Sequence, residues 1–179
     1  MKTNICLFIA LCINGIIHAQ NDIYDVRLST AAGETISLAD FKGQSLLFVS
    51  IDPFGDPTAQ LIEYRELIKY FKDSGLTIIV CPVTGLSQEK RGNDTAVLKL
   101  RQAYESDRII VCFPAGNTEG EASLSAWLST KNKNGIIDEK FNHNGWKYLV
   151  NRQGKLTGIF SNRVRPLDND IIDAIKNNQ

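Results

Sequence analysis

The stretch SLLFVSIDPFGDPTAQLIEYRELIKYF, residues 45–71, predicts a buried strand, a tight loop and an amphipathic helix. Residues 46–49 form a continuous apolar run, which is typical of a strand covered on both faces. The loop from Asp52 to Pro57 is dense in turn-forming residues, and Asp56 can cap the helix that comes after it. Open α/β proteins place their chemistry in loops of this kind. This loop, however, contains no Cys, His, Ser or Lys.

The helix and the next strand extend the pattern. Gly75 suits the left-handed end of the helix, and residues 76–81 read as a second buried strand, so the strand–helix–strand unit predicts a parallel pair. The helical spacing predicts an inward face and a wetter face: Leu61, Ile62, Arg65, Ile68 and Phe71 inward, with Glu63, Glu66 and Lys69 outward.

The remaining elements flank this unit. They predict an α/β protein of the thioredoxin-like order, with a central mixed β-sheet flanked by helices and an N-terminal β-hairpin. The predicted segments are a strand at 22–28, a return strand at 35–38, a helix at 94–105 with Val97, Leu98, Arg101 and Tyr104 on one face, a strand at 108–113, a short helix at 123–128, an exposed excursion at 130–144, a β-hairpin over 146–160 and a helix at 168–176 with Leu167, Ile171, Ile172 and Ile175 inward.

Residues 1–19 have the form of a secretory signal peptide, with a basic start at Lys2, an apolar run and a small residue, Ala19, before the expected cut. The alternative is a membrane anchor, but the apolar run is short for a span of about 20 residues. Lipoprotein processing at Cys12 is disfavoured because Leu11 precedes it. We therefore expect a secreted or periplasmic domain of residues 20–179 with no membrane span.

The charge composition of the chain limits the classes of partner that it is expected to bind. The chain carries 20 basic and 20 acidic residues, and removal of Lys2 leaves a mature charge of about −1. No basic stripe is present, so nucleic-acid binding is not predicted. Cys81 and Cys112 remain after cleavage, an even pair in an oxidising compartment.

Several blocks resemble the glutathione peroxidase family, in order and in spacing, over most of the mature chain. They are residues 23–26, the run SLADFKG at 37–43 followed by LLFV at 46–49, KDSGLTII at 72–79, Phe113-Pro114, AWL at 126–128 and KYLVNRQGK at 147–155. The resemblance implies a thioredoxin-like fold and a redox enzyme that reduces peroxides.

The family's chemistry uses four residues: a peroxidatic Cys or selenocysteine, a Gln, a Trp and an Asn. The resemblance places the nucleophile at Gly55, because residues 58–60 match the motif that comes shortly after the nucleophile in the family. It places the Gln at Gly85 or Thr84, the Trp at His143 and the Asn at Asn144. Of the four, Asn144 alone is retained.

A glycine cannot attack a peroxide, and no Cys lies between Val49 and Leu61, so a shift of the alignment does not restore the nucleophile. Trp146 replaces the missing Trp only if three residues are deleted before the last hairpin. A peroxidase that uses the family's mechanism is therefore not predicted.

Two sets of residues remain as candidates. Cys81 and Cys112 are two buried apolar cysteines, a structural disulfide or a reactive redox pair, and the sequence leaves these three open. Asp52, Asp56 and His143 could converge on the loop, but we favour capping aspartates and a surface histidine over a metal or acid–base site. No metal or cofactor is predicted.

The sequence supports two hypotheses about function. The first is an exported thioredoxin-fold protein that has lost its peroxidatic residue and acts as a binding or scaffolding module for an unidentified protein or small molecule. The alternative is a thiol–disulfide oxidoreductase, or another peroxide-related redox enzyme, that works through Cys81 and Cys112.

Overall fold

The strands occur in the predicted order along the chain. The structure, a computed structural model, describes residues 22–54, 58–83, 90–113, 119–141 and 143–178. The strands are β1 (Arg27–Ser29), β2 (Thr35–Ser37), β3 (Ser45–Ile51), β4 (Leu76–Pro82), β5 (Ile109–Val111), β6 (Lys147–Val150) and β7 (Leu156–Phe160). The helices are α1 (Thr58–Tyr70), α2 (Lys90–Tyr104), α3 (Glu119–Ser129), α4 (Lys131–Asn134) and α5 (Asn169–Asn177), with 3₁₀ turns at Ile23–Asp25 and Leu38–Phe41.

The central sheet of the described residues has the strand order β5-β4-β3-β6-β7. Strands β3, β4 and β5 run parallel, while β6 pairs antiparallel with both β3 and β7. Strands β1 and β2 form a separate antiparallel hairpin. The structure thus confirms the mixed sheet, the parallel pair and the N-terminal hairpin.

Two apolar layers cover the sheet. One face packs against the N-terminal segment and α3, through residues such as Ile23, Leu38 and Trp127. The other face packs against α1, α2 and α5, including Tyr64 and Ile171. Because β3 lies in the middle, all seven of its residues are buried.

The predicted inward face of α1 was partly wrong. Ile62 is 67% exposed, whereas Glu63, predicted to face solvent, is 8% exposed and pairs with Arg165. Tyr64 and Leu67 fill the core instead. The spacing of apolar residues placed Ile62 inward and Glu63 outward, one position away from the observed face. It could not reveal that Arg165, in a distant loop, pairs with Glu63 and makes its burial tolerable.

Other boundaries and faces also differ. The strand predicted at 22–28 begins with a 3₁₀ turn, since Asp22 Oδ1 accepts a hydrogen bond from the amide of Tyr24 at 3.1 Å. Helix α2 begins at Lys90 rather than at 94. Leu167, which was predicted inward, is 38% exposed, and Leu98, which was grouped on one helix face with the buried Val97, is 44% exposed.

The segment predicted as an exposed excursion, residues 130–144, is partly built into the core. Asn134 is 4% exposed. Its Nδ2 donates to the carbonyls of Trp127 (2.9 Å) and Ile137 (3.0 Å), and its Oδ1 accepts from the amides of Ile136 (2.7 Å) and Ile137 (2.9 Å). A buried side-chain amide with its hydrogen bonds satisfied organises this polar segment where apolar residues are few.

The predicted signal peptide, residues 1–19, lies outside the described residues. Among the helices of the described residues, none combines the length and the apolar character needed to cross a bilayer.

The turn between β6 and β7 gives a sharp test of packing. Gly154 has φ +77°, and a Cβ placed there would lie 2.7 Å from Cε2 of Tyr24. Gly43 has a similar φ of +82°, with no atom within 4 Å of such a Cβ. Gly154→Ala should lower the free energy of unfolding by about 2–4 kcal/mol, because strain and overpacking add, and Gly43→Ala by about 1 kcal/mol. Chemical denaturation would measure the free energy of unfolding of both variants, and equal losses for Gly154→Ala and Gly43→Ala would contradict the close contact with Tyr24.

Candidate functional site

The carboxyl end of β3 is tied to residues 143–146, called here the site loop. Gly145 donates its amide to the carbonyl of Ser50 (2.7 Å), and the Ser50 amide donates to the carbonyl of Trp146 (3.0 Å). The Ser50 hydroxyl accepts from the Trp146 amide (3.1 Å) and lies within hydrogen-bonding reach of the carbonyls of His143 and Trp146. The buried Ser50 therefore makes hydrogen bonds with three of the four residues of the site loop.

Asn144, the residue that the resemblance predicts to be retained, lies at this end of the sheet. Its Oδ1 accepts a hydrogen bond from the Asp52 amide at 2.8 Å. Asp52 in turn accepts from the Phe54 amide at 3.0 Å, a local turn of the kind that aspartate often makes. The aspartate thus shapes the start of the loop, as the sequence indicated. Gly55, Asp56, Thr84 and Gly85 lie outside the described residues.

The two candidates for the missing tryptophan are neighbours in space. The rings of His143 and Trp146 stack with centroids 4.8 Å apart and an interplanar angle of 28°. His143 Nε2 lies 3.2 Å from Glu139 Oε1, and 43% of the His143 side chain is exposed. Either alignment with the family therefore places an aromatic ring at the same part of the site.

The aromatic row continues behind the stack. Tyr148 lies 6.5 Å from the Trp146 ring and 5.2 Å from that of Phe141. Burial, together with the smaller effect of the Glu139 charge, raises the pKa of Tyr148 to about 12. The phenol stays protonated at neutral pH, so it adds packing here and no general base.

Cys81 and Cys112 lie side by side. Cys81 is on β4 and pairs with Ser50 of the neighbouring strand β3, so it lies beside the strand that carries the site. The Cys112 amide donates to the Val80 carbonyl at 3.0 Å, which extends the β4–β5 register and puts Cys112 opposite Cys81. Neighbouring strands are about 4.8 Å apart, inside the Cα range of roughly 4.4–6.8 Å that a disulfide accepts.

Both cysteines point into the same apolar layer. Cys81 is 2% exposed, Cys112 is 1% exposed, and both are buried thiols in the structure. The geometry therefore leaves an intramolecular redox couple open, while burial limits the access of a bulky partner.

Ser50 and Glu139 were not singled out from the sequence. Ser50 is a single polar residue at the end of an apolar run, and that interruption was the available signal. Glu139 had no local signal, because its contact with His143 depends on the path of the chain. Within the described residues no group of three His, Cys, Asp or Glu side chains is arranged to hold a metal ion.

Comparisons with known proteins agree with this architecture. The chain is 25% identical to "Glutathione peroxidase 1" of Caenorhabditis elegans over 163 residues, covering 87% of this chain and 98% of that one. It is 28% identical to "Probable glutathione peroxidase 2" of Arabidopsis thaliana, covering 88% and 95%. The chain is similar to glutathione peroxidases. No protein-family model matches it.

Solved structures show the fold. The glutathione-peroxidase-like chain superposes on Trgpx in its apo form with a TM-score of 0.61 at 20% identity, covering 87% of this chain and 95% of that one. It superposes on an exposed lipoprotein thioredoxin of Streptococcus pneumoniae with a TM-score of 0.56 at 15% identity, covering 86% and 98%. The predicted thioredoxin-like fold and the resemblance to glutathione peroxidases are confirmed.

Two buried serines of β3 provide a matched pair. Ser50 holds the site loop, whereas the hydroxyl of Ser45 is buried and makes no hydrogen bond within the described residues. Ser50→Ala should cost about 1–3 kcal/mol of unfolding free energy because it leaves loop groups unsatisfied, and Ser45→Ala should be neutral or stabilising. Thermal and denaturant unfolding would measure both, and a larger loss for Ser45→Ala would contradict the assignment.

Proposed function

We propose that the chain is an exported, glutathione-peroxidase-like protein that does not reduce peroxides and serves as a binding or scaffolding module. The observation that carries the proposal is Gly55 at the position of the nucleophile, with no Cys between Val49 and Leu61.

The hydrogen bonds around the site support this proposal. At the end of β3 the polar groups of Ser50, Asp52 and Asn144 bind nearby backbone groups. In the family, by contrast, the retained Asn serves the reacting thiolate. Here its carbonyl oxygen holds the Asp52 amide, so the retained side chain has a structural partner.

Peroxide consumption tests the loss of activity. Purified residues 20–179, supplied with hydrogen peroxide or cumene hydroperoxide and a thiol reductant, should show no turnover above the reductant alone. Gly55→Cys puts a thiol back into the frame and should give measurable turnover, which also shows that the assay can detect activity. Turnover by the wild type that Cys81→Ser abolishes would overturn the proposal.

The adjacency of Cys81 and Cys112 favours a second candidate, a thiol–disulfide oxidoreductase. In that reaction the two thiols would give two electrons and two protons to a disulfide substrate, which leaves as two thiols, and would themselves close into a disulfide. The buried position of both sulfurs argues for slow exchange with a protein substrate.

Intact mass after treatment with a disulfide oxidant decides between the two functions. An oxidoreductase should lose the mass of two hydrogens in the wild type and keep its mass in Cys112→Ser. Its reduced form should also be reoxidised by a small aromatic disulfide. We expect no such couple under native conditions, with bridging after unfolding in denaturant. A rapid native bridge would make the oxidoreductase the better proposal.

Export has its own test. If residues 1–19 are a signal peptide, the protein recovered from the periplasm or medium of an expressing bacterium should begin at Gln20. Recovery of an unprocessed chain from the cytoplasm would contradict export and leave the proposed binding role unaffected.

A further inference from the structure

Lys147 is a fully buried lysine inside the sheet, with an exposed fraction of 0%. Lysine is almost never fully buried unless it is paired. On β6 it lies opposite Val49 and Phe160, both of which pack in the layer under α1 and α5. The side chain of Lys147 therefore lies on the face of the sheet that packs against α1 and α5.

The side chain joins two segments that are distant in sequence. Its Nζ donates to the carbonyl of Gly145 at 2.9 Å and to that of Val164 at 2.6 Å. Gly145 belongs to the site loop, and its amide is bound to Ser50. Val164 belongs to the connection between β7 and α5, residues 161–168. One side chain thus holds the site loop and the entry to the C-terminal helix together.

Among the described residues, two carboxylates act on the charge of Lys147, and an arginine is bound to both of them. Glu63 comes from α1, Asp168 occupies the N-cap position of α5, and Arg165 lies between them in the connection. Arg165 pairs with Glu63, and its amide donates to Asp168 Oδ2 at 2.8 Å. Burial lowers the pKa of Lys147 to about 8, against the opposing effect of Asp168 and Glu63.

The two protonation states hold the same carbonyls with different strength. An ammonium has three N–H donors, and a neutral amine keeps two, enough for both Gly145 and Val164. Charge-assisted hydrogen bonds are roughly twice as strong as neutral ones. Loss of the proton therefore weakens the hold on both carbonyls at once without breaking either contact.

We propose that Lys147 is a proton-dependent latch that couples the site loop to the connection between β7 and α5. The latch is tight while Lys147 is charged and loosens at both ends when the proton leaves. This coupling does not depend on what the site binds.

Nuclear magnetic resonance tests the latch directly. The Gly145 carbonyl shares its peptide group with the Trp146 amide, and the Val164 carbonyl shares its own with the Arg165 amide. As the pH rises through the pKa of Lys147, the amide shifts of Trp146 and Arg165 should titrate with one midpoint, near pH 8, that matches the Nζ signal of Lys147. Lys147→Met should abolish both transitions, while the exposed Lys155→Arg in the same hairpin should preserve them.

The titration overturns the proposal if either amide fails to follow Lys147. A lysine that merely fills space would leave one or both amides unmoved, or moving with a different midpoint. The wild-type comparison of the three midpoints decides the matter even if Lys147→Met does not fold.

Unfolding supplies a second, independent measurement. The pKa of Lys147 is about 8 in the folded protein and near its ordinary 10.5 in the unfolded chain. Between these values the unfolded chain binds more protons, so stability rises with pH in the wild type relative to Lys147→Met. The denaturation midpoints of the two proteins should diverge across this window, in the wild type's favour. Parallel midpoints would show that the proton on Lys147 is not linked to the fold.

Discussion

Strand β3 is enclosed on both faces and along both edges, and this enclosure constrains the rest of the structure. Its seven residues are buried, so each backbone amide and carbonyl needs a partner from a neighbouring strand. Parallel pairing with β4 and antiparallel pairing with β6 supply those partners. The sheet is mixed because the strands on the two sides of β3 run in different directions. Strand β4, reached through α1, is parallel to β3, whereas β6, reached after β5, α3 and α4, is antiparallel to it.

The same demand explains the site. Where β3 leaves the sheet, its last groups find partners in the site loop, through Ser50 and Asp52. A redox enzyme with this frame directs such groups toward a reacting sulfur. In the function proposed for this chain Gly55 takes the nucleophile position, and the polar groups described at the end of β3 stabilise the loops. Packing and hydrogen bonding hold this frame in place, and neither requires a reactive atom.

Two charged side chains are buried on the face of the sheet that packs against α1, α2 and α5. Glu63 on a helix and Lys147 on a strand are buried, and the loop residue Arg165, whose side chain is 71% exposed, pairs with Glu63 from the solvent side. The pair with Arg165 also explains the altered face of α1, because it makes the buried position of Glu63 tolerable while Ile62 is exposed. The spacing of apolar residues in the sequence does not predict a buried carboxylate whose partner comes from a distant loop.

The amino-acid sequence was enough to predict the order of the elements, the mixed sheet, the N-terminal hairpin and the likeness to glutathione peroxidases. The elements depend on local signals, namely apolar runs, turn residues and caps, whereas the likeness to the family rests on the order and spacing of matching blocks along the chain. The resemblance to that family also predicts that Asn144 is retained and that Gly55 takes the nucleophile position. The tertiary structure alone decided that Cys81 and Cys112 lie opposite each other, that His143 stacks on Trp146, that Asn134 is buried and that Lys147 bridges two segments. Each of these arrangements depends on how the chain packs in three dimensions, and its geometry exists only once the strands have paired and the helices have packed.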